Sequence, residues 1–437
     1  MEVQMRNKRL FTKLAALSAA ALILAGCSSS DSASNGLPKV DMLKELGQGE
    51  GQVNIVAWAG YVENGSTDPN VDWVTGFEKE TGCKVNVKVG ATSDDMVALM
   101  KTGEYDVVSA SGDASLRLIY GGDVAPVNTD LIPNYADIFE GLKNQQWNSV
   151  DGVAYGVPHG RGANLLAYRT DIVKPAPTSW GSVFDANSPY KGKITAYDSP
   201  IYLADAALYL MKTKPELGIK YPYALDQTQF DAAVALLNEQ KPLIGEYWGD
   251  YLKHVASLKS GGTVLGTTWQ VNINLAKGEG TKVEGIKPVE GSTGWSDTWM
   301  ISSKAKNPNC GYMWMNHIAS PQANAGVAEW FGEAPSNSKS CALTADKNHC
   351  ATFHASDDAY WADVYYWNTP TEACLDGRTD VKCVPYSEWA TAWSSLRNSS
   401  DISEPRAVRR CRHLSQRGSI RGHGYGWQHF LPHRFSG

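Results

Sequence analysis

Between residues 53 and 120 short apolar runs alternate with segments of helical period, which restricts this part of the chain to a mainly parallel sheet with helices on both faces. Residues 53–58 form a short apolar strand ending at Trp58. Trp73 and Phe77 lie one turn apart on a helix that Gly82 stops. Residues 84–89 alternate as a strand, and Ser93 can cap a helix carrying Met96, Leu99 and Met100 that Gly103 ends. Residues 105–109 read as a third strand, and a helix with Leu116, Ile119 and Tyr120 stops at Gly121-Gly122.

The pattern changes near Val157-Pro158. Beyond it, Tyr168-Arg169 and Lys193-Ile194-Thr195 read as strand ends, helices are expected at about 200–212, 228–240 and 247–260, and residues 264–269 return to strand. Residues 299–302 follow as a strand, then two helices from Asn309 to about Phe331, and Trp389 and Trp393 mark a last helix. There is no solenoid-type repeat. With 437 residues the chain is long enough for two domains with cores of their own, and 15 tryptophans is a high count.

The N-terminus reads as an export signal. Arg6, Lys8, Arg9 and Lys13 precede an apolar run from Leu14 to Ile23, shorter than the roughly 20 residues that span a bilayer. The run ends in Leu24-Ala25-Gly26-Cys27, similar to the lipobox of bacterial lipoproteins, so residues 1–26 are expected to be cleaved and Cys27 acylated. An ordinary signal peptide with a chance cysteine is the alternative. Residues 28–38, rich in Ser, Asn and Gly, suit a flexible tether, and the tether as a whole runs to residue 51. No later segment is long and apolar enough to be a transmembrane helix, so a soluble body held at the outer face of the cytoplasmic membrane is expected.

Net charge is −6 and unevenly placed. The leader carries four basic residues against Glu2, and residues 398–437 carry seven arginines against Asp401 and Glu404, which leaves residues 27–397 at −14. An acidic body attracts cations and repels nucleic acid. The arginine-rich end, with four histidines and no hydrophobic period, reads as a disordered extension; a polyanion-binding tail and a frame shift after Leu396 are the other readings.

Apart from Cys27 and Cys411, six cysteines remain: Cys83, Cys310, Cys341, Cys350, Cys374 and Cys383. An even set in an exported chain suggests disulfides. Cys341 and Cys350, like Cys374 and Cys383, are nine residues apart and suit local closures, which leaves Cys83 with Cys310. The rival is a metal site, but no C-x-x-C or paired-His spacing supports one, and no metal or other cofactor is expected. No nucleophile elbow, H-E-x-x-H, P-loop or EF-hand motif is present, so an enzyme reading has no residues to rest on.

The body offers aromatic residues and carboxylates at strand ends, where open α/β sheets bind ligands. Trp58 ends the first strand and Tyr61 follows closely, Ser109 and Ser111 end the third; Asp198 follows Ile194-Thr195, Trp269 ends 264–269, and Trp295-Ser296-Asp297 enters the strand at 299–302. Tryptophan faces attract cations by about 0.5–2 kcal/mol each, and a carboxylate fixes an ammonium by charge-assisted hydrogen bonds. For any one tryptophan, core packing is an equal or better explanation, and Asp198 could simply start a helix.

The chain resembles the extracellular solute-binding proteins of ABC importers, in the spermidine/putrescine-binding branch. The resemblance covers most of 52–397 and rests on Trp58-Ala59-Gly60-Tyr61-Val62, Phe77-Glu78-Lys79-Glu80-Thr81-Gly82, Tyr105-Asp106-Val107-Val108, Gly156-Val157-Pro158, Thr178-Ser179-Trp180, Tyr190-Lys191-Gly192-Lys193, Trp295-Ser296-Asp297 and Ala334-Pro335-Ser336-Asn337. It implies a two-lobed α/β clamshell of type II periplasmic-binding-protein kind, with a hinge and a central cleft. Lobe one would hold 52–157 plus 297–340, and lobe two 158–296 plus 341–397. Cys83 and Cys310 would then share a lobe.

The family's ligand cage maps onto Trp58, Ser111, Asp198, Trp269, Trp295 and Asp297. Two positions depart from it. Ile201 stands where polyamine binders often have a second acid, and Glu333 where they have a cleft tyrosine, so the carboxylate is relocated and Glu333 joins the candidate set. The expected mechanism is closure of both lobes on a small organic cation, with Asp297 and Asp198 holding ammonium ends and Trp58, Trp269 and Trp295 sandwiching methylenes, followed by docking of the monomer on the permease's transmembrane subunits. A sugar or amino-acid receptor of the same fold is the first alternative; a secreted hydrolase and a surface adhesin are weaker ones.

Overall fold

The computed structural model describes residues 37–90 and 92–398. The leader, Cys27, Cys411 and the tail from residue 399 lie outside the described residues. In chain order the strands are β1 (Gln52–Ala57), β2 (Lys84–Val89), β3 (Val107–Ala110), β4 (Ser149–Val150), β5 (Val153–Ala154), β6 (Val157–Ala163) and β7 (Leu165–Arg169), then β8 (Ile194–Tyr197), β9 (Ile244–Trp248), β10 (Leu265–Thr268), β11 (Val283–Ile286), β12 (Ser292–Ile301), β13 (Ala334–Pro335) and β14 (Val364–Tyr366). Apart from the small β4–β5 pair they form two sheets, so the two-lobed α/β architecture is realised.

The first sheet runs β13-β6-β12-β3-β1-β2, with β14 beside the start of β12. β1 is parallel to β2 and β3, as the alternation of strand and helix requires, whereas β12 runs antiparallel to β3 and β6. Val53, Ile55 and Ala57 are fully buried beneath Phe77 and Trp314, which meet edge to face at 5.4 Å. Truncating a buried tryptophan of this kind costs about 3–5 kcal/mol. The helix Val74–Thr81 ends at Gly82 with φ 72°, as expected of a left-handed cap.

The second sheet runs β11-β7-β10-β8-β9. Its core gathers Trp180, Ile194, Leu203, Trp248 and Trp389, the last from the closing helix Tyr386–Asn398. The helix Gln227–Gln240 starts in a reciprocal capping box between Asp226 and Gln229, a stop-and-start signal that fixes its first turn.

Several local expectations shift. Thr92, not Ser93, caps the helix Ser93–Lys101, and its side chain accepts from the Asp95 N–H at 3.1 Å. Ser93 instead donates to the buried Asp113 at 2.8 Å. Residues 244–248, partly read as the start of a helix, are a strand; the helix begins at Tyr251, after Asp250, whose carboxylate accepts from Leu252 and Lys253. The expected pairings of all six cysteines are present: Cys83–Cys310, Cys341–Cys350 and Cys374–Cys383.

The chain passes between the sheets at two clasped points. Only Asn164 separates β6 from β7, and residues 287–291 separate β11 from β12. Asn164 donates to Thr293 from its backbone (2.9 Å) and its side chain (2.7 Å), and its side-chain oxygen accepts from the Trp269 indole at 2.9 Å. Among the described residues no helix is long and apolar enough to cross a membrane.

Candidate solute-binding site

The carboxyl end of β1 releases the chain at Trp58 and Tyr61, and that of β3 at Ser111, which caps the helix Gly112–Tyr120. β12 brings Trp295 and Asp297 to the same face, two residues apart. From the second sheet, Trp269 follows β10 and caps the helix Gln270–Gly278. Together with Phe331 and Trp367 these residues line one small pocket.

Alternating glycines in β6 make this possible. A Cβ on Gly160 would lie 2.4 Å from the Glu333 carboxyl, and one on Gly162 would lie 2.4 Å from the Trp295 ring. At Gly160 and Gly162 the strand across from β12 therefore presents no side chain, and Glu333 and Trp295 occupy that space. On the other side of the pocket, Trp269 sits 6.3 Å from Trp295 in an edge-to-face arrangement, and Trp367 stacks on Tyr197 at 5.4 Å.

Asp297 is the buried charge of the pocket. Its Oδ1 accepts from Ser111 at 2.5 Å and its Oδ2 from Tyr61 at 2.8 Å. The Tyr61 hydroxyl also lies 3.1 Å from Glu333 Oε2. One hydroxyl proton serves only one of two carboxyl groups, so the chain of contacts closes when Glu333 is protonated and donates to Tyr61, which donates to Asp297. Burial, and then the neighbouring Asp297 charge, hold Glu333 well above the usual carboxyl range. Burial also pushes Asp297 up to about 6, against the lowering effect of hydrogen bonds from Ser111 and Tyr61. His159 closes the inner layer. Its Nδ1 accepts from Trp299 at 2.8 Å, burial lowers it to about 3, and its Nε2 lies 3.4 Å from Glu333 Oε1. The carboxyl group on the pocket wall is therefore Asp297, and Glu333, held higher by burial and by that neighbouring charge, stands behind it.

Of the expected residues, Trp58, Ser111, Trp269, Trp295 and Asp297 come together on the pocket wall. Glu333 is absent from the wall and reaches it through Tyr61. Asp198 is elsewhere: its carboxylate accepts from Arg397 at 3.0 and 3.1 Å and from the Trp393 indole at 3.3 Å. Tyr61 belongs to the strand-end pattern but not to the mapped cage, and Phe331 and Trp367 belong to neither. The signal for Tyr61 was its place just past the first strand; Trp367 follows a short strand that has no alternation to mark it.

A pocket walled by aromatic rings, holding one buried carboxylate and walled by residues attached to two separate sheets, defines a two-lobed solute receptor of the type II periplasmic-binding-protein fold. The chain belongs to the bacterial extracellular solute-binding protein family, whose model matches residues 72–352. It is 25% identical over 279 residues to the spermidine/putrescine-binding periplasmic protein of Escherichia coli (strain K12), covering 63% of this chain and 74% of that protein. Among solved structures it is similar to the spermidine/putrescine ABC transporter substrate-binding protein PotD of Streptococcus pneumoniae, with TM-score 0.61 and 19% identity over 80% of this chain and 98% of that one. It is equally similar in fold to the binding protein MotA of A. tumefaciens B6 in complex with glucopine, with TM-score 0.61 and 17% identity over 79% and 99%. The relatives are binding proteins of transporters rather than enzymes.

Proposed function

We propose that this protein is the solute-binding lipoprotein of an ABC importer, anchored through acylated Cys27, that captures a di- or polyamine of the putrescine/spermidine type and delivers it to the permease. The observation that carries the reading is Asp297, a buried carboxylate held by Ser111 and Tyr61 and facing Trp58, Trp269 and Trp295. An ammonium there would gain a charge-assisted hydrogen bond and the ring faces beside it. Because Trp269 belongs to one sheet and Trp58, Ser111 and Asp297 to the other, such a ligand has contacts only the closed arrangement provides, which is what selects closure.

Thermal unfolding of the purified protein with putrescine, spermidine, cadaverine, amino acids and sugars tests the proposal. Ligand at 100 times its Kd should add about 2.7 kcal/mol of stability. A shift with no amine would discard the reading. An amino-acid or sugar receptor is the second reading, and one feature favours it: among the described residues the buried indole N–H groups of Trp58 and Trp295 have no acceptor, which suits a ligand carrying oxygen atoms.

Amine binding should also depend on pH with a definite sign. A cation needs Asp297 ionised, and its carboxyl stands at about 6. Calorimetric affinity is therefore expected to fall about tenfold between pH 7 and pH 5, beyond any change in the ligand's own charge. The ligand-free protein should respond in the opposite direction. Asp297 holds its proton more tightly folded than unfolded, so its contribution to stability declines as pH rises from the usual carboxyl range to about 6.

A further inference from the structure

A second cavity, of about 120 Å³, lies beside the first where β6 passes into β7, and shares Trp269 and Trp295 with it. Arg161, Trp361, Tyr360 and Lys287 also line it. In the register of β6 and β12, Asp297 faces Gly160 and Ser296 faces Arg161, so Arg161 leaves the sheet on the side opposite to Asp297. The short strand β13 covers β6 only at Gly160 and Arg161, which leaves the edge at Gly162 and Ala163 facing the cavity.

Arg161 is only 5% exposed. Its guanidinium donates to the Tyr366 hydroxyl at 3.2 Å and the Ala355 carbonyl at 2.9 Å, and stacks over Trp361 at 4.3 Å, while its buried Nε has no acceptor among the described residues. Among the described residues it forms no ion pair. Lys287, the other cation of the wall, is paired with Asp363 and also donates to the Tyr360 carbonyl at 2.6 Å. A buried cation without an anion carries a desolvation cost that neutral acceptors offset only in part. The planar fork of a guanidinium matches a carboxylate in particular.

We propose that this cavity is a second binding site, taking a small organic carboxylate whose carboxylate group meets Arg161 and whose body lies against Trp295 and Trp361. The aromatic walls favour an organic anion over an inorganic one, which would gain nothing from them. The acidic body repels anions at a distance, so affinity comes from contact inside the cavity. The proposal is independent of the solute held at Asp297.

The test uses acetate, 4-aminobutyrate and benzoate, each against its own amide, with chloride and sulfate at matched ionic strength, in thermal unfolding and calorimetry of the purified protein. At least one carboxylate is expected to bind tenfold or more tighter than its amide and than sulfate. Arg161→Gln should remove that preference and leave putrescine binding unchanged; Asp297→Asn should keep it. If every carboxylate binds no better than its amide, or if the folded Arg161→Gln variant retains the preference, the proposal is overturned and Arg161 is a structural cation held by Trp361 and the Ala355 carbonyl. Should Arg161→Gln fail to fold, the comparison of carboxylate with amide on the unaltered protein decides alone.

Discussion

Asp297→Asn is expected to weaken amine binding by roughly 30-fold to several hundred-fold, about 2–4 kcal/mol, with the protein still folded. The size follows from the burial of the carboxylate: it is 3% exposed, so an ammonium bound there exchanges water for a single desolvated anion. The fold should tolerate the change because the surrounding donors are adaptable. Ser111 and Tyr61 both approach Asp297 through hydroxyl groups, and a hydroxyl facing the new amide NH2 accepts from it instead of donating. Removing a carboxylate that burial disfavours in its charged form should also leave the ligand-free protein as stable at pH 7 as before, or more so. Asp198→Asn is the contrast. Its carboxylate is bound by Arg397, both groups are about one-third exposed, and it does not line the pocket, so amine affinity should stay within about twofold and stability within about 1 kcal/mol. Calorimetry on the two variants checks the assignment. Equal losses in both, or none in Asp297→Asn, would remove Asp297 from its role.

What the sequence made legible follows the range over which each signal acts. The βα units from β1 to the helix Gly112–Tyr120 could be read because a parallel sheet covered by helices needs apolar strands and amphipathic helices, which are local patterns. The strand β6 could not, because Val157-Pro158-His159-Gly160-Arg161-Gly162-Ala163 contains residues that weaken any strand reading. Its glycines are there for Trp295 and Glu333, far away in sequence. The last two residues of β9 fall inside the helix expected at about 247–260 because the strand runs almost directly into one. At the site, Trp58, Ser111 and Trp295-Ser296-Asp297 stand at strand ends or within strands, where topology alone gives a reason to expect ligand contacts. Asp198 also follows a strand. Its removal from the pocket depends on Arg397, almost two hundred residues later, and no local pattern could reveal that pair. The two roles of the carboxyl groups are the least legible part. Nothing in the sequence separates the Asp297 carboxyl from that of Glu333; both are buried and both meet Tyr61, and Asp297 accepts from Ser111 as well.

Replacing both Cys83 and Cys310 by serine is expected to lower stability by about 3–5 kcal/mol, the largest loss among the three disulfides. The bridge joins residues 227 apart, whereas the other two each close nine-residue separations. In the chain-entropy account a long closed loop restricts the unfolded chain more, so the short bridges should be worth about 2–3 kcal/mol each. Packing adds to the difference. Cys83, just before β2, and Cys310, within the helix Pro308–Ile318, are fully buried, and a Cβ on Gly49 would stand only 2.6 Å from the Cys83 sulfur. Serine hydroxyls there would be desolvated without a built-in partner. The same geometry predicts where the loss will not appear. Neither cysteine lines the pocket, and Trp58, Ser111 and Asp297 are held by other elements of the first sheet, so the double variant should bind its solute with unchanged affinity wherever it remains folded. Urea unfolding of the double variant beside Cys374→Ser/Cys383→Ser, each with and without saturating ligand, separates the two effects. A midpoint shift in the first no larger than in the second would mean that the unfolded chain does not experience the long loop. A loss of affinity at full folding would mean that the bridge positions the site as well as the fold.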